Sequence, residues 1–113
     1  MDIQSQSEEC MSSVRTALHV LGGKWSFLVL AQLQVHPQRF NQLRKKLDDI
    51  STKALTDTLR HLEQNEIISR QIFPTVPVTV EYSLTEKGKA LRTVLQEMHR
   101  WGHTWASSRD ESQ

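Results

Sequence analysis

The stretch 51–60 carries polar side chains whose types and spacing suit contacts with a nucleic acid. Lys53 and Arg60 can donate hydrogen bonds to guanine or to phosphate, and Thr56 can donate, accept or touch a thymine methyl group. Asp57 can accept from a cytosine amine, or it can orient Arg60 three positions further along a helix. Contacts of this kind require the four side chains to share one exposed face.

Leucines in the same region indicate that it forms a helix with two distinct faces. Leu55, Leu59 and Leu62 are spaced i, i+4 and i+7, so they lie within about 60° of one another on a helical wheel. The four polar side chains lie about 100–200° away from Leu55. We expect the leucines to face the core and the polar side to face solvent. Every surface helix has a polar side, so this pattern taken alone is not specific for DNA binding.

Both ends of this helix carry recognisable signals. Ser51 is the expected N-cap, with Ile50 and Leu55 forming a hydrophobic staple around it. Asn65 is expected to close the helix in the left-handed conformation. Because a helix N-terminus favours anions, Ser51 and Thr52 are candidate contacts to backbone phosphate.

Three further helices are predicted upstream, and the last of them is basic. Its outward residues Arg44, Lys45 and Lys46 could anchor DNA phosphates, or they could simply form a solvated face. The three helices are expected at about 12–21, with Ser12 or Ser13 as cap, at about 25–35, and at 40–47.

Downstream of residue 67 the apolar period changes from about 3.6 to 2, which indicates β-strands. Two strands, at about 68–72 and 78–84, surround a tip that holds two prolines, as an exposed hairpin tip allows. A helix–turn–helix followed by a hairpin predicts a mainly α fold with a small antiparallel β-hairpin, the winged helix–turn–helix. In that fold the second helix of the pair lies in the major groove.

The hairpin offers additional candidate contacts to DNA. Thr75 and Val76 at its tip could reach the minor groove, although the tip lacks an arginine. Arg70 and Lys87 near its base are equally plausible phosphate ligands.

Length and composition are those of one globular domain. The chain has 113 residues, of which 37% are hydrophobic. No apolar run approaches the roughly 20 residues of a membrane span, and the polar, acidic N-terminus is unlike a signal peptide, so we expect a cytoplasmic protein with no membrane partner. We expect a flexible N-terminal tail at 1–9, the winged-helix domain at 10–106, and a flexible C-terminal tail at 107–113. The domain carries a net charge of +5, which weakly favours a polyanionic partner.

The order of short motifs along the chain resembles a known family. The motifs are "LGGKW" at 21–25, "RF" at 39–40, the pattern from Ile50 to Ile67 ending in "LEQNEI", and "VEYSLTEKGKAL" at 80–91, followed by two terminal tryptophans. Together they resemble the HxlR-type family of bacterial winged-helix regulators, relatives of the MarR group. The chain is most similar to the branch that senses quinones and diamide through an N-terminal cysteine.

This resemblance implies a homodimeric transcriptional regulator, by analogy a repressor, that binds a palindromic operator in double-stranded DNA. The helix beginning near Ser51 would be the recognition helix, and the first and last helices would hold the dimer. The sequence departs from the family at Met11, where proline commonly follows the cysteine, and at Glu66, where many members have glycine.

The last predicted helix, from Glu86 to about Ala106, supports a dimer on physical grounds. It carries a long apolar stripe, and a domain this small has little core to cover two tryptophans. Isologous pairing would bury the stripe and set two recognition helices about 34 Å apart. Alternatively the helix packs only on its own domain. The stripe consists of Leu91, Val94, Leu95, Met98, Trp101 and Trp105.

Cys10 is the single cysteine, so it is structural, reactive, or paired with another subunit. The resemblance places it at the position of the sensing cysteine, which would react with an electrophile or oxidant. Any disulfide would then join Cys10 to the partner's Cys10 or to a small thiol. A regulator that does not respond through its thiol stays open as an alternative.

Other function classes have less support in the sequence. His99 and His103 are four residues apart, but no third metal ligand lies at a useful spacing, so we expect no metal. The chain has no P-loop, nucleophile elbow or dinucleotide-binding motif, so we expect no cofactor and no enzyme activity. A winged helix used only for protein–protein contact is the remaining alternative.

Overall fold

The computed structural model describes residues 7–111, with side chains as far as Ala106. Within these residues the elements are α1 Ser7–Val20, α2 Lys24–Leu33, β1 Gln38–Arg39, α3 Phe40–Lys46, α4 Thr52–Gln64, β2 Ile68–Phe73, β3 Thr79–Leu84, α5 Glu86–Lys89 and α6 Arg92–Glu111. Helices dominate, and the three short strands form one antiparallel sheet in the order β1-β3-β2. The predicted winged helix–turn–helix is confirmed: α3 and α4 form the helix pair, and β2 and β3 form the hairpin, which is the wing.

The core lies among α2, α3, α4 and the sheet. The leucine side of α4 is fully buried there, as its spacing predicts. Tyr82 and Leu84 of β3 pack against the same core from the sheet. The buried apolar residues are Leu21, Val29, Leu30, Leu33, Leu43, Leu47, Ile50, Leu55, Leu59, Leu62, Ile67 and Ile68.

The start of α4 follows the predicted pattern. Ser51 is the N-cap, and its hydroxyl accepts a hydrogen bond from the backbone N–H of Ala54 at 3.0 Å. Ile50 and Leu55 are both buried, as the two ends of a hydrophobic staple should be. The cap fixes where the helix begins and therefore which residues occupy its exposed first turn.

The end of α4 differs from the prediction. Asn65 has φ −92°, so it is not left-handed, and Glu66 takes the left-handed conformation with φ 59°. Two backbone bonds explain this: Ile67 N–H donates to Leu62 O at 2.9 Å, and Glu66 N–H donates to Glu63 O at 3.0 Å. These bonds form a Schellman motif, which requires the left-handed residue one position later than predicted.

The sheet contains a strand that the sequence did not reveal. β1 has only two residues, too few for a periodic pattern, and it pairs with β3 so that Gln38 lies opposite Tyr82. Gln38 is buried, and its side-chain amide donates to Gln32 O at 2.7 Å. β1 thus fastens the start of α3 to the wing.

The long C-terminal helix is interrupted, which the sequence did not predict. It divides into α5 and α6 at Ala90 and Leu91, where Leu91 N–H bonds to Gly88 O rather than to a carbonyl four residues back. Tertiary contacts hold α5, the first of the two parts, in place. A Cβ on Gly88 would lie 2.2 Å from Ile67 O, and the Thr85 hydroxyl donates to that same carbonyl at 3.0 Å, so α5 is pinned to the start of β2.

The terminal helices extend further than expected. α1 begins at Ser7, not near Ser12, so residues 7–9 of the expected tail are helical, and the acidic Glu8 and Glu9 suit the positive end of the helix dipole. α6 continues to Glu111, into the expected C-terminal tail. The rest of both expected tails, 1–6 and 112–113, lies outside the described residues. Within residues 7–111, no helix is long and apolar enough to cross a membrane.

Candidate nucleic-acid interface

The polar side of α4 faces solvent while its leucines are buried. Lys53, Asp57 and Arg60 are exposed, and Thr56 is half-buried. The helix therefore has the two distinct faces, one buried and one exposed, that the helical wheel predicts. Side chains on this side can reach base edges in a major groove, since nothing else among the described residues covers them.

Asp57 pairs with Lys53, and not with Arg60 as one reading of the sequence offered. Lys53 Nζ donates to a carboxylate oxygen of Asp57 at 2.9 Å, one helical turn away. That hydrogen bond, together with the positive charges of Lys53 and Arg60, holds the pKa of the Asp57 carboxyl below its usual range. Arg60 is left free to donate its full guanidinium fork.

The first turn of α4 and the outer side of α3 form the adjacent basic surface. Ser51 and Thr52 are exposed beside the helix N-terminus, where backbone N–H groups favour phosphate. Arg44 and Lys45 line an open depression of about 440 Å³ on α3. Lys46 next to them is also exposed, so all three predicted basic residues are available to a polyanion.

A cleft of about 310 Å³ lies between α4 and the wing. Arg60 and Arg70 line it together with the hydroxyl-bearing Thr56 and Tyr82. Arg70 lies 3.7 Å from the carboxylate of Glu63, an exposed and therefore weak ion pair. Glu63 also lines the cleft, so its carboxylate offsets part of the positive charge, and two guanidinium groups and two hydroxyl groups remain as donors for a phosphate oxygen.

Tyr82 and Glu63 were not among the predicted site residues. Burial raises the pKa of the Tyr82 phenol, and the positive charge of Arg70 acts in the opposite direction. Arg70 and Tyr82 lie directly opposite each other in the β2–β3 ladder. That hairpin register was the signal that could have identified Tyr82 from the sequence.

The wing tip presents apolar side chains. Val76 is fully exposed and Val78 largely so, whereas the Thr75 hydroxyl is engaged with Pro77 O and with Thr79, each at 2.8 Å. Lys87, a candidate phosphate ligand, donates to Asn65 O at 2.9 Å and so bridges α5 to the end of α4. Arg70 is the better placed of the two hairpin-base candidates.

α1 and α6 each present an exposed apolar face. Leu91 and Leu95 of the predicted stripe pack against the chain's own core. The other four residues of the stripe are exposed, and the two tryptophans are 68% and 58% accessible. α1 adds exposed Met11, Val14 and Leu18, and none of its residues is buried.

Cys10 and the histidines of α6 complete the predicted sites. Cys10 is the fourth residue of α1 and is half-buried. His99 and His103 stack with ring centroids 5.9 Å apart. Among the described residues no three potential ligands come together as a metal site.

Comparison with known proteins agrees with the fold. The model of the HxlR-like helix–turn–helix family matches residues 20–110. The chain is 41% identical over 97 residues to the HTH-type transcriptional regulator YodB of Bacillus subtilis, an alignment that covers 86% of this chain and 87% of YodB.

Solved structures give the same result. The redox regulator HypR in its reduced form superimposes with a TM-score of 0.81 and 34% identity, covering 88% of this chain and 98% of HypR. Quinone-bound YodB from B. subtilis superimposes with a TM-score of 0.70 and 38% identity, covering 82% and 98%. The chain therefore belongs to the HxlR-like helix–turn–helix family and is a DNA-binding transcriptional regulator, not an enzyme.

Proposed function

We propose that this protein is a homodimeric repressor that reads a palindromic operator with α4 and responds to electrophiles through Cys10. One observation carries the DNA-binding part: α4 buries its leucines completely and leaves Lys53, Thr56 and Arg60 accessible. A recognition helix must have this division, because the side chains that read bases cannot also build the core.

The two exposed apolar faces support the homodimer. Trp101 and Trp105 lie on the same side of α6 as Val94 and Met98. In a monomer all four apolar side chains are exposed to water. Burying one large apolar side chain is worth about 1.5–3 kcal/mol. α1 buries nothing within its own subunit, so a twofold mate that covers α1 and α6 stabilises both helices at once.

A twofold dimer implies the form of the operator. Two copies of α4 would enter successive major grooves about 34 Å apart, so the operator would be an inverted repeat with half-sites one helical turn apart. Lys53, Thr56 and Arg60 would read bases. The phosphate contacts would come from the first turn of α4, from α3 and from the wing, namely Ser51, Thr52, Arg44, Lys45, Lys46 and Arg70.

The experiment is a gel-shift titration on the DNA upstream of the protein's own gene and its neighbours. Lys53→Ala and Arg60→Ala should each weaken binding by about 1–3 kcal/mol if the side chain touches a base, without changing dimerisation. Lys89→Ala is the control, since Lys89 is exposed on α5 and pairs with Glu86. Binding that is insensitive both to salt and to the two α4 substitutions would contradict the proposal.

Response to electrophiles is supported by the position of Cys10 and by the relatives. Cys10 lies in the first turn of α1, on a helix that carries one of the two exposed apolar faces. HypR is a redox regulator, and YodB has been solved with quinone bound. Because the chain has one thiol, a quinone would form a single S–C bond by addition to the Cys10 thiolate, and a proton would be taken up by the reduced ring.

Diamide would act by a different route. Two thiols, Cys10 and the partner's Cys10 or a small thiol, would give up two electrons and two protons to diamide, forming a disulfide and the hydrazine. Either product adds bulk or a link at the end of α1 and would weaken operator binding. In the gel-shift assay Cys10→Ser should bind the operator as wild type does and should lose the response to both reagents. An unchanged response in Cys10→Ser would refute thiol sensing and leave DNA binding intact.

A further inference from the structure

The attachment of α1 to the rest of the subunit is confined to one end of the helix. No residue of α1 is buried, whereas Leu21 directly after it is part of the core. Gly22 and Gly23 follow, and Gly23 has φ 85°, a conformation that favours glycine. α1 is therefore a lever about 21 Å long that is fixed at its C-terminal end.

His61 of α4 bonds to that fixed end. Its Nε2 lies 2.9 Å from Val20 O and 3.2 Å from His19 O. Both partners are carbonyl oxygens, which only accept, so Nε2 carries the hydrogen and donates to the two in a shared bond. The last carbonyls of a helix have no partner within the helix, and a histidine is a suitable donor to them.

The position of His61 on α4 makes this bond relevant to DNA recognition. His61 directly follows Arg60, so the same helical turn carries a proposed base contact and the attachment to α1. The ring of His19 lies edge-on to that of His61, with centroids 6.4 Å apart and planes at 80°. The recognition helix is thus joined directly to the C-terminal end of the helix that carries Cys10 and one of the exposed apolar faces.

We infer that His61 is a positioning residue that sets the angle between α1 and α4 and thereby the separation of the two recognition helices. This rests on the proposed function, since α1 determines the separation only if it belongs to the dimer interface. A 10° rotation about the fixed end of a 21 Å lever moves the far end by about 3.7 Å, close to the roughly 3.4 Å rise of one base pair. Loss of the His61 bond would therefore relax the required half-site spacing.

The first experiment measures, without DNA, how tightly the distance between α1 and α4 is fixed. Spin labels on Ser13→Cys in α1 and Gln64→Cys in α4, both exposed sites, are introduced in a Cys10→Ser background and diluted with unlabelled subunits. With His61 present the pulsed-EPR distance distribution should be narrow. His61→Ala should broaden it, and His61→Gln, which keeps an N–H donor, should broaden it less. A distribution unchanged in His61→Ala overturns the inference.

The second experiment measures the consequence for recognition. Operator affinity is compared for the natural half-site spacing and for spacings one base pair longer and shorter. His61→Ala should reduce the preference for natural spacing by about three- to tenfold, with dimerisation and melting temperature near those of wild type. His61→Gln should restore most of the preference, and His19→Gln, whose carbonyl is untouched, serves as matched control.

The two proposals fail in different ways. If wild type binds operator DNA and His61→Ala keeps the same spacing preference, His61 does not position the recognition helices, and the regulator proposal stands. If wild type binds no operator as a dimer, the proposed function fails, and the EPR distances still decide whether His61 fixes α1.

Discussion

Asp57 places a negative charge in the middle of the side of α4 that is proposed to face DNA. Its bond to Lys53 holds the pKa of the carboxyl below the usual range, so the carboxyl stays ionised to a lower pH than an unpaired aspartate does. A carboxyl whose pKa is lower in the folded state stabilises the fold above its unfolded pKa and loses that effect as the pH falls through the folded value. The pair therefore stays intact near neutral pH, and it restrains Lys53 as a phosphate or base ligand.

Asp57→Asn should strengthen DNA binding and reduce its selectivity. The substitution removes a charge that repels phosphate and frees Lys53, so affinity for unrelated DNA should rise roughly three- to tenfold and the salt slope should steepen by about 1. Fluorescence anisotropy on operator and random duplexes at several salt concentrations measures both. Glu86→Gln, which breaks the comparable Lys89 pair on α5, should change neither. If Asp57→Asn loses its preference for operator over random DNA while the salt slope stays unchanged, Asp57 reads a base instead.

At the scale of single elements, the end of α4 contains local strain. Glu66 occupies the left-handed position of the Schellman motif, which costs a non-glycine residue about 1–2 kcal/mol. Glu66→Gly should remove this cost. Because glycine also gives the unfolded chain more freedom, roughly 0.4–1 kcal/mol of stability is lost, and the free energy of unfolding should rise by a net of about 0.5–1 kcal/mol. Urea unfolding at fixed protein concentration measures this change in the free energy of unfolding. Gln64→Gly, within the same helix end, should destabilise by about 1 kcal/mol, and a loss in Glu66→Gly would contradict the assignment.

The turn formed by α5 depends on one glycine. A Cβ at Gly88 would meet the backbone oxygen of Ile67 at 2.2 Å, and a backbone atom cannot move aside as a side chain can. Gly88→Ala should cost about 1–3 kcal/mol through strain, although alanine is the better helix former. Thermal unfolding should show a melting temperature several degrees lower, with Lys89→Ala in the same turn close to wild type. Equal melting temperatures for the two variants would show that α5 is not pinned to Ile67.

At the scale of the whole molecule, the apolar faces of α1 and α6 should decide the oligomeric state. Trp101→Glu would place a charge in the proposed interface and should raise the dimer dissociation constant by about 30-fold or more, as loss of a central tryptophan does in other interfaces. Sedimentation at several concentrations measures this, and operator binding should fall with it. Val76→Glu is the control for sedimentation, because Val76 is also apolar and exposed but lies at the wing tip, outside the proposed interface. If the Trp101→Glu protein stays dimeric, the dimer interface lies elsewhere on the subunit.

The sequence by itself determined the elements that arise from local patterns. The leucine spacing of α4, the Ser51 cap and the change of period at the hairpin each depend on residues within a few positions of one another, so each could be read directly. The same periodicity separated the exposed side of α4 from its buried side. Arg60 and Lys53 were identified for that reason, and the structure leaves both exposed.

Tertiary structure alone decided the features that depend on partners distant in the chain. The position of α5 depends on the close approach of Gly88 to Ile67, and β1 exists because β3 lies beside it. The cleft that joins Arg60 to Tyr82 and the bond from His61 to the end of α1 both connect residues more than 20 positions apart. Helical and strand periods report which side of an element is buried, but not which element covers it, and that information comes only from the packed fold.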